Sequence, residues 1–294
     1  MDRFGISVIR EQDPMIAVKQ QRELESRMDP GFWNPEWLRF YDALYESGYE
    51  VQPLGQFIES ITYGQVGSRY YDPEGEVIYL QTRNITPTGI DIYERSGRIK
   101  AGSWNDPERS RLERNDLLLV NSSRFAAGVR PIGKVLAVLS DPGLMNISQD
   151  IDKIRLKGLD PAYAATFILS KYGNSQIMRI CSGVGSVKVN FDEIRSILIP
   201  VIPQGLQRQI RIEYSRVGTY HEEAMEAKGK MLKAGEYGNT AAEERYRAEY
   251  ERNIAIAEAM LNDLIRQVEE IIEGKRTEIE PVDRILKEAQ GGGA

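Results

Sequence analysis

One cysteine, Cys181, and one histidine, His221, stand in 294 residues. A lone cysteine excludes an internal disulfide and a cysteine-rich zinc site, and it fits a cytoplasmic location. A lone histidine cannot form a zinc-binding cluster, and any serine–histidine–aspartate machinery would have to use His221 itself. A solvated or interface position is the plainer expectation for His221, and a small buried apolar role for Cys181. No apolar run reaches the about 18 residues of a membrane helix. The start, Met1-Asp-Arg-Phe-Gly-Ile-Ser-Val8, has neither the basic nor the apolar region of a signal peptide. There is no GxxxxGK[ST] phosphate loop, and the pairs Gly64/Gly67 and Gly183/Gly185 open no clear helix. No Asn/Asp-Pro-Pro-Tyr/Phe motif occurs, so S-adenosylmethionine chemistry is not expected. Asp150 and Asp152 share a strand face by spacing, yet two carboxylates are too few for a metal nuclease. These absences lead to an expectation of no cofactor, no metal and no catalysis by this chain.

Charge is also scarce in the sign that nucleic acid attracts. The formal net charge is −6. It is unevenly spread: residues 54–200 hold 18 Lys+Arg against 16 Asp+Glu, and the flanks carry the acidic excess. The middle has room for a basic face, and the acidic flanks call for another role. So small a balance bears on non-specific attraction more than on specific reading.

The pattern of what is present divides the chain into four. Residues 1–53 are mixed. Asp13 has the form of a helix cap for 13–24, and Asn34-Pro35 opens a helix through Tyr45 that Gly48 stops. Residues 54–203 read as strands and loops. The runs 76–81, 116–121 and 134–139 are short, apolar and bounded by turn residues, and 151–156 partly alternates. Asp160-Pro161 opens a helix expected to stop at Gly173. Residues 204–274 are helical with a break at Gly235–Asn239 and a restart at Thr240-Ala-Ala-Glu243, a capping-box spacing. Residues 275–294 form a charged, then Gly-rich tail. The expected fold is α+β: a strand-rich domain followed by a long, coiled-coil-like helical arm.

Several blocks of the middle region resemble, in order and spacing, the target-recognition domain of a DNA-specificity (S) subunit of type I restriction–modification enzymes. They are Leu54-Gly-Gln-Phe-Ile-Glu-Ser-Ile-Thr-Tyr-Gly-Gln-Val-Gly67, Val77-Ile-Tyr-Leu-Gln-Thr-Arg-Asn-Ile-Thr86, and Arg114-Asn-Asp-Leu-Leu-Leu-Val-Asn-Ser-Ser123. Then come Ser148-Gln-Asp-Ile-Asp-Lys-Ile-Arg155, the helix ending Ser170-Lys-Tyr-Gly173, and Gly183-Val-Gly-Ser-Val-Lys-Val-Asn-Phe191 with Ile199-Pro-Val-Ile-Pro203. The third block departs from the family by placing Asn115 where glycine is usual. A full S subunit has two recognition domains and two conserved helices; this chain has one domain and one arm, so it resembles a half subunit.

The resemblance implies a non-catalytic protein that binds double-stranded DNA and directs adenine methyltransferase subunits, and a motor-nuclease subunit where one exists, to a split site. It also implies a homodimer. Residues suited to base edges or phosphates sit in the loops: Thr62, Tyr63, Gln65, Arg83, Asn84, Ser123, Arg124, Ser182, Ser186 and Lys188. Each also has a plain reading as a turn, cap or solvated side chain. On the arm, Ile254, Leu261, Leu264 and Val268 form an apolar seam. Either a second copy covers this seam, or the first helix folds back to bury it. A coiled-coil scaffold whose mixed domain binds protein is the alternative function.

Overall fold

The computed structural model describes residues 7–8, 17–18, 35–66, 71–124, 134–181 and 186–284. Within them the fold is α+β. Two short strands, β1 (Ser7–Val8) and β2 (Ala17–Val18), pair antiparallel. The helix expected over 13–24 is therefore a strand at the two positions described, and its Asp13 cap lies outside the described residues. Helix α1 (Pro35–Glu46) then appears as its Pro35 start implies, with Gly48 at φ 77° after it.

The recognition-like domain is tied shut at its base. Strand β3 (Val51–Pro53) pairs antiparallel with β13 (Leu198–Pro200), so two segments far apart in sequence leave and enter side by side. Between them lie β4 (Ile58–Tyr63), β5 (Val77–Leu80), β6 (Gly97–Ile99), β7 (Leu117–Val120) and β8 (Ser122–Arg124). They are followed by β9 (Val135–Ala137), β10 (Met145–Ile147), β11 (Ile151–Leu156) and β12 (Ser186–Lys188). The main sheet has the order β4-β11-β7-β9, all antiparallel. A second sheet, β10-β5-β6, is mixed, and β8 with β12 forms a two-stranded ribbon. The all-buried Leu117–Val120 explains why β7 reads as a continuous apolar run: it is central and covered on both faces.

Helix α2 (Pro161–Leu169) is buried from Pro161 to Ile168 and touches β7, β9 and both arm helices. It starts as expected, with the Asp160 side chain accepting from Ala162 N–H at 2.8 Å. It does not run to Gly173. Ser170 turns extended (ψ 166°) and caps a second helix, α3 (Lys171–Ile180), with Gly173 inside it. A Cβ at Gly173 would overlap the Ile168 backbone, so this glycine serves the close fold-back of α3 onto α2. A short helix, α4 (Phe191–Arg195), opens on a capping box made by Asn190 and Glu193.

The arm is a hairpin. Helices α5 (Gln204–Glu236) and α6 (Thr240–Ile272) are each 33 residues, about 50 Å at 1.5 Å per residue. They pack on each other, joined by a turn with Gly238 at φ 67°. The cap of α6 is Asn239, whose side chain accepts from Ala242 N–H at 3.2 Å; Glu243 pairs instead with Arg247. Leu261, Leu264 and Val268 are buried in one core shared with α5, α2 and the sheet, and Ile254 is half-buried. Of the two arrangements open from sequence, the first helix folds back and covers the seam within the chain. A seam reserved for a second copy is thereby corrected.

Buried polar side chains lock arm to domain. Gln207 is fully buried; its amide donates to Ile202 C=O at 2.9 Å and accepts from Asp160 N–H at 2.9 Å. Gln176 both donates to and accepts from the Leu198 backbone, at 2.8 and 2.7 Å, standing in for a neighbouring strand of β13. At the far end, Lys171 pairs with Glu269 and Glu273. The Lys171 and Lys275 ammonium groups hold the Glu273 carboxyl down at about 2.

Asn115 has φ 74°, the left-handed region. Its N–H donates to Val138 C=O at 2.6 Å. Asparagine is among the few side-chain residues that tolerate that conformation.

Candidate nucleic-acid interface

An antiparallel sheet gathers alternate strand ends at one edge. The end of β4, the start of β11, the end of β7 and the start of β9 lie together, because Tyr63 is opposite Asp152, Val120 opposite Ile151, and Leu119 opposite Val135. The second sheet joins there through Ser148, among other contacts. Ser148 N–H donates to Leu80 C=O at 2.9 Å, and Gly64 N–H donates to Ser148 C=O at 3.3 Å. Gln65 forms a bridge to Ser148. The β8–β12 ribbon leaves from the same end, directly after β7.

This edge brings together most of the loop residues singled out from sequence. Thr62 is half-buried and Tyr63 is exposed, its ring 5.7 Å from that of Phe191. Gln65 is half-buried, and its carbonyl accepts from the Tyr79 hydroxyl. On the ribbon, Ser186 is opposite Arg124, and Lys188, which is exposed, is opposite Ser122; Ser123 lies between. Arg83 is exposed in the turn after β5. Ser182 lies outside the described residues. Lys134, which sequence reasoning did not single out, precedes β9 at the same end, with its carbonyl accepting from Val120 N–H at 2.9 Å; burial lowers its pKa.

Asn84 is corrected. It is fully buried, and its amide is spent on the chain: Oδ1 accepts from Gln81 N–H at 2.8 Å, and Nδ2 donates to Asp91 C=O and Glu94 C=O at 2.8 and 3.0 Å. It shapes a long turn and has nothing left for a base edge. That turn runs on to α5, where Asp91 meets Lys228 at 2.6 Å and Thr88 meets His221 Nδ1 at 3.0 Å. His221 is thus an internal joint between arm and domain, buried, with its pKa lowered by that burial. Beside it, between α5 and the strands' opposite ends, lies a cavity of about 590 Å³ lined by Thr88, Arg114, Asp141, Tyr214, Gly218 and His221.

Gly64 lies where the two sheets meet. A Cβ there would overlap the Ile147 carbonyl, so its bareness serves the contact between the two sheets rather than an approach to a ligand.

Comparison with known proteins can be set beside this geometry. No family model matches the chain, and no curated protein does. The chain is similar to the type I restriction–modification S subunit of M. genitalium. The TM-score is 0.42 at 10% identity, over 64% of this chain and 43% of that one. The chain thus spans less than half the length of that structure.

A buried polar knot under the edge was missed in part. Asp152 and Asn121 are both buried; Asn121 Nδ2 donates to Asp152 Oδ1 at 2.6 Å. Asp150, expected to share its strand face, lies in the turn before β11. Burial raises the Asp152 carboxyl to about 7, against the donation from Asn121 and the charge of Lys188. Asp152 Oδ2, Asn121 Oδ1 and Ser148 Oγ are buried with no hydrogen-bond partner among the described residues. The sequence signal was Asn121 ending an apolar strand, which reads as an ordinary turn residue.

Among the described residues no group of His, Cys, Asp or Glu is arranged to hold a metal ion, and no helix is long and apolar enough to cross a membrane.

Proposed function

We propose that this chain is a DNA-reading specificity subunit of a type I restriction–modification complex. The observation that carries this is the gathering of polar and basic loops at one sheet edge. Arg83, Arg124 and Lys188 supply charge for phosphates or guanine edges, while Thr62, Tyr63, Gln65, Ser123 and Ser186 supply hydrogen-bonding groups of both kinds. Thr62 and Tyr63 stand on β4 of the four-stranded sheet, whose register is held by buried β7 and β11, while Ser123, Arg124, Ser186 and Lys188 stand on the ribbon that follows it and Arg83 in the turn after β5. The block-by-block resemblance in sequence points the same way. The chain itself performs no methyl transfer and cuts no DNA. Its partners are double-stranded DNA, adenine methyltransferase subunits and, where one exists, a motor-nuclease subunit.

The hairpin and domain base, with their acidic excess, are the surface for the methyltransferase subunits. A second copy would read the other half of a split site. It would meet the first through surfaces other than Leu261, Leu264 and Val268, which the chain already covers.

Salt dependence tests the edge. Lys188→Ala and Arg124→Ala are expected to weaken binding of every duplex alike. Each is also expected to reduce the slope of log affinity against log salt by about 0.9 for every phosphate left without its cation. Arg83→Ala is expected either to do the same or, if Arg83 reaches a base, to cost about 1–3 kcal/mol at one position of the site only. Anisotropy titrations at several salt concentrations read both. Three variants that bind like the parent at every salt concentration would place the interface elsewhere.

A further inference from the structure

Two aspartates are fully buried in the main sheet region, and the chain treats them differently. Asp116, just before β7, has cations at hand: Arg155 at 3.0 Å and Lys153 at 3.9 Å, with Glu113 N–H donating at 2.7 Å. Asp152 has only the amide of Asn121 in contact, and its second oxygen has no partner among the described residues. A structural aspartate would be served as Asp116 is. Asp152 is a carboxyl left incomplete beneath the edge proposed to meet DNA.

Its neighbour Asn121 is the point at which the reading elements are joined. The Asn121 carbonyl accepts from Val189 N–H at 2.9 Å, anchoring β12 next to Lys188. Its N–H donates to Asp150 C=O at 3.1 Å, anchoring the turn into β11. Its side chain holds Asp152 and points at Gln149 C=O at 3.5 Å. Asn121 thus touches Asp152 through its side chain and, through its backbone, the ribbon that carries Ser123, Arg124, Ser186 and Lys188.

We propose that Asp152 is a positioning residue that couples docking of a duplex to the uptake of a proton, holding the β8–β12 ribbon through Asn121. This deepens the reading of the edge as a DNA interface and rests on it. The ammonium of Lys188 is the charge that favours ionised Asp152. Asp152 meets neutral Asn121, the residue after β7, and lies opposite Leu119 on β7 and Tyr63 on β4; Asp150 stands two residues before it. Lys153, the next residue, is engaged with Asp116. A duplex brings phosphates that draw Lys188 outward and add negative potential. Both changes disfavour a carboxylate in a buried site, so the proton that ionised Asp152 lacks is taken from solvent as the complex forms. One hydrogen ion binds one carboxylate oxygen, and the neutral acid gains an O–H donor for a buried acceptor such as Asn121 Oδ1 or Ser148 Oγ.

By linkage, binding that takes up a proton weakens as pH rises through and above the pKa of the free protein, by at most tenfold per pH unit for one proton. The test is fluorescence anisotropy of the full chain with a mixed-sequence duplex at low salt, from about pH 6 to about pH 9. The parent is expected to lose about three- to tenfold in affinity per pH unit above about 7. Asp152→Asn keeps the acceptor facing Asn121 and cannot titrate; its affinity is expected to be flat over that range and to exceed the parent's at the alkaline end. A variant with a purely structural defect would bind weakly at every pH and keep the parent's slope.

Calorimetry of the parent in two buffers of different ionisation enthalpy measures the proton directly and needs no variant. Uptake at about pH 8 supports the proposal. A parent that binds the duplex with no proton uptake, or a variant with the parent's slope, overturns it. A parent that binds no duplex at any pH overturns the DNA reading along with it, which separates the two failures.

Discussion

Leu264→Asp is expected to disrupt the helical hairpin of the isolated chain. Leu264 is fully buried in the core that α6 shares with α5 and α2. Truncation to alanine alone costs about 2–5 kcal/mol at such a site. An aspartate adds an unpaired charge in an apolar setting, which proteins meet by unfolding or by neutralising the group. Against a total stability of about 5–15 kcal/mol, the double change Leu261→Asp with Leu264→Asp leaves little of the fold. Urea titration followed by circular dichroism should show the midpoint falling sharply, with helical signal lost early. If the seam instead served a second copy, the same variant would keep its helix content and its midpoint while sedimenting as a monomer where the parent is a dimer.

Gly64→Ala is the second large effect. A methyl group there has no space, since it would overlap the backbone carbonyl of Ile147, which cannot swing aside like a long side chain. Relief requires β4 and β10 to part, which breaks the Gly64 N–H to Ser148 C=O bond and the Gln65–Ser148 bridge. The expected cost is about 3 kcal/mol or more. DNA binding should fall further than stability alone explains, because Tyr63 and Gln65 on either side of the glycine are displaced. A thermal melt unchanged from the parent would contradict the packing described. Gly205→Ala serves as the control: nothing lies near its added methyl, and inside α5 alanine favours the helix, so a small gain is expected.

The sheet was legible in the sequence because its strands are short apolar runs between turn residues. The runs at 76–81, 116–121, 134–139 and 151–156 became β5, β7, β9 and β11 with ends shifted by at most two residues. Helix ends were less legible where a glycine had two possible uses. Gly173 reads as a stop and is a contact between helices; Gly64 reads as one of a short glycine pair and is room for another strand. Neither use is local, so no spacing rule reports it. The arm's seam was legible as a seam, but its partner was not. Heptad-like spacing specifies an apolar stripe and is silent on whether the stripe meets its own chain or another.

Of the candidate site, the loops were found because polar residues after apolar strands must lie at strand ends. Their meeting at one edge depends on strand order, which local pattern does not give. Asn84 shows the limit: its residue type suits adenine, and a turn used it first. Asp152 shows the converse. By spacing it is one of two carboxylates on a strand face, and only its burial with an unpartnered oxygen among the described residues distinguishes it.

Selection from a pool of random duplexes tests the central claim most directly. The full chain, alone and with its adenine methyltransferase subunit, is used to capture duplexes over several rounds, and the captured pool is sequenced. The account predicts enrichment of a defined short sequence, split by an unread spacer in the complex. It also predicts weaker capture of all duplexes by Lys188→Ala and Arg124→Ala, and, if Arg83 reaches a base, a preference relaxed at one position in Arg83→Ala. A pool that stays random in both settings, or a preference set wholly by the methyltransferase subunit with capture untouched by those three changes, would contradict it.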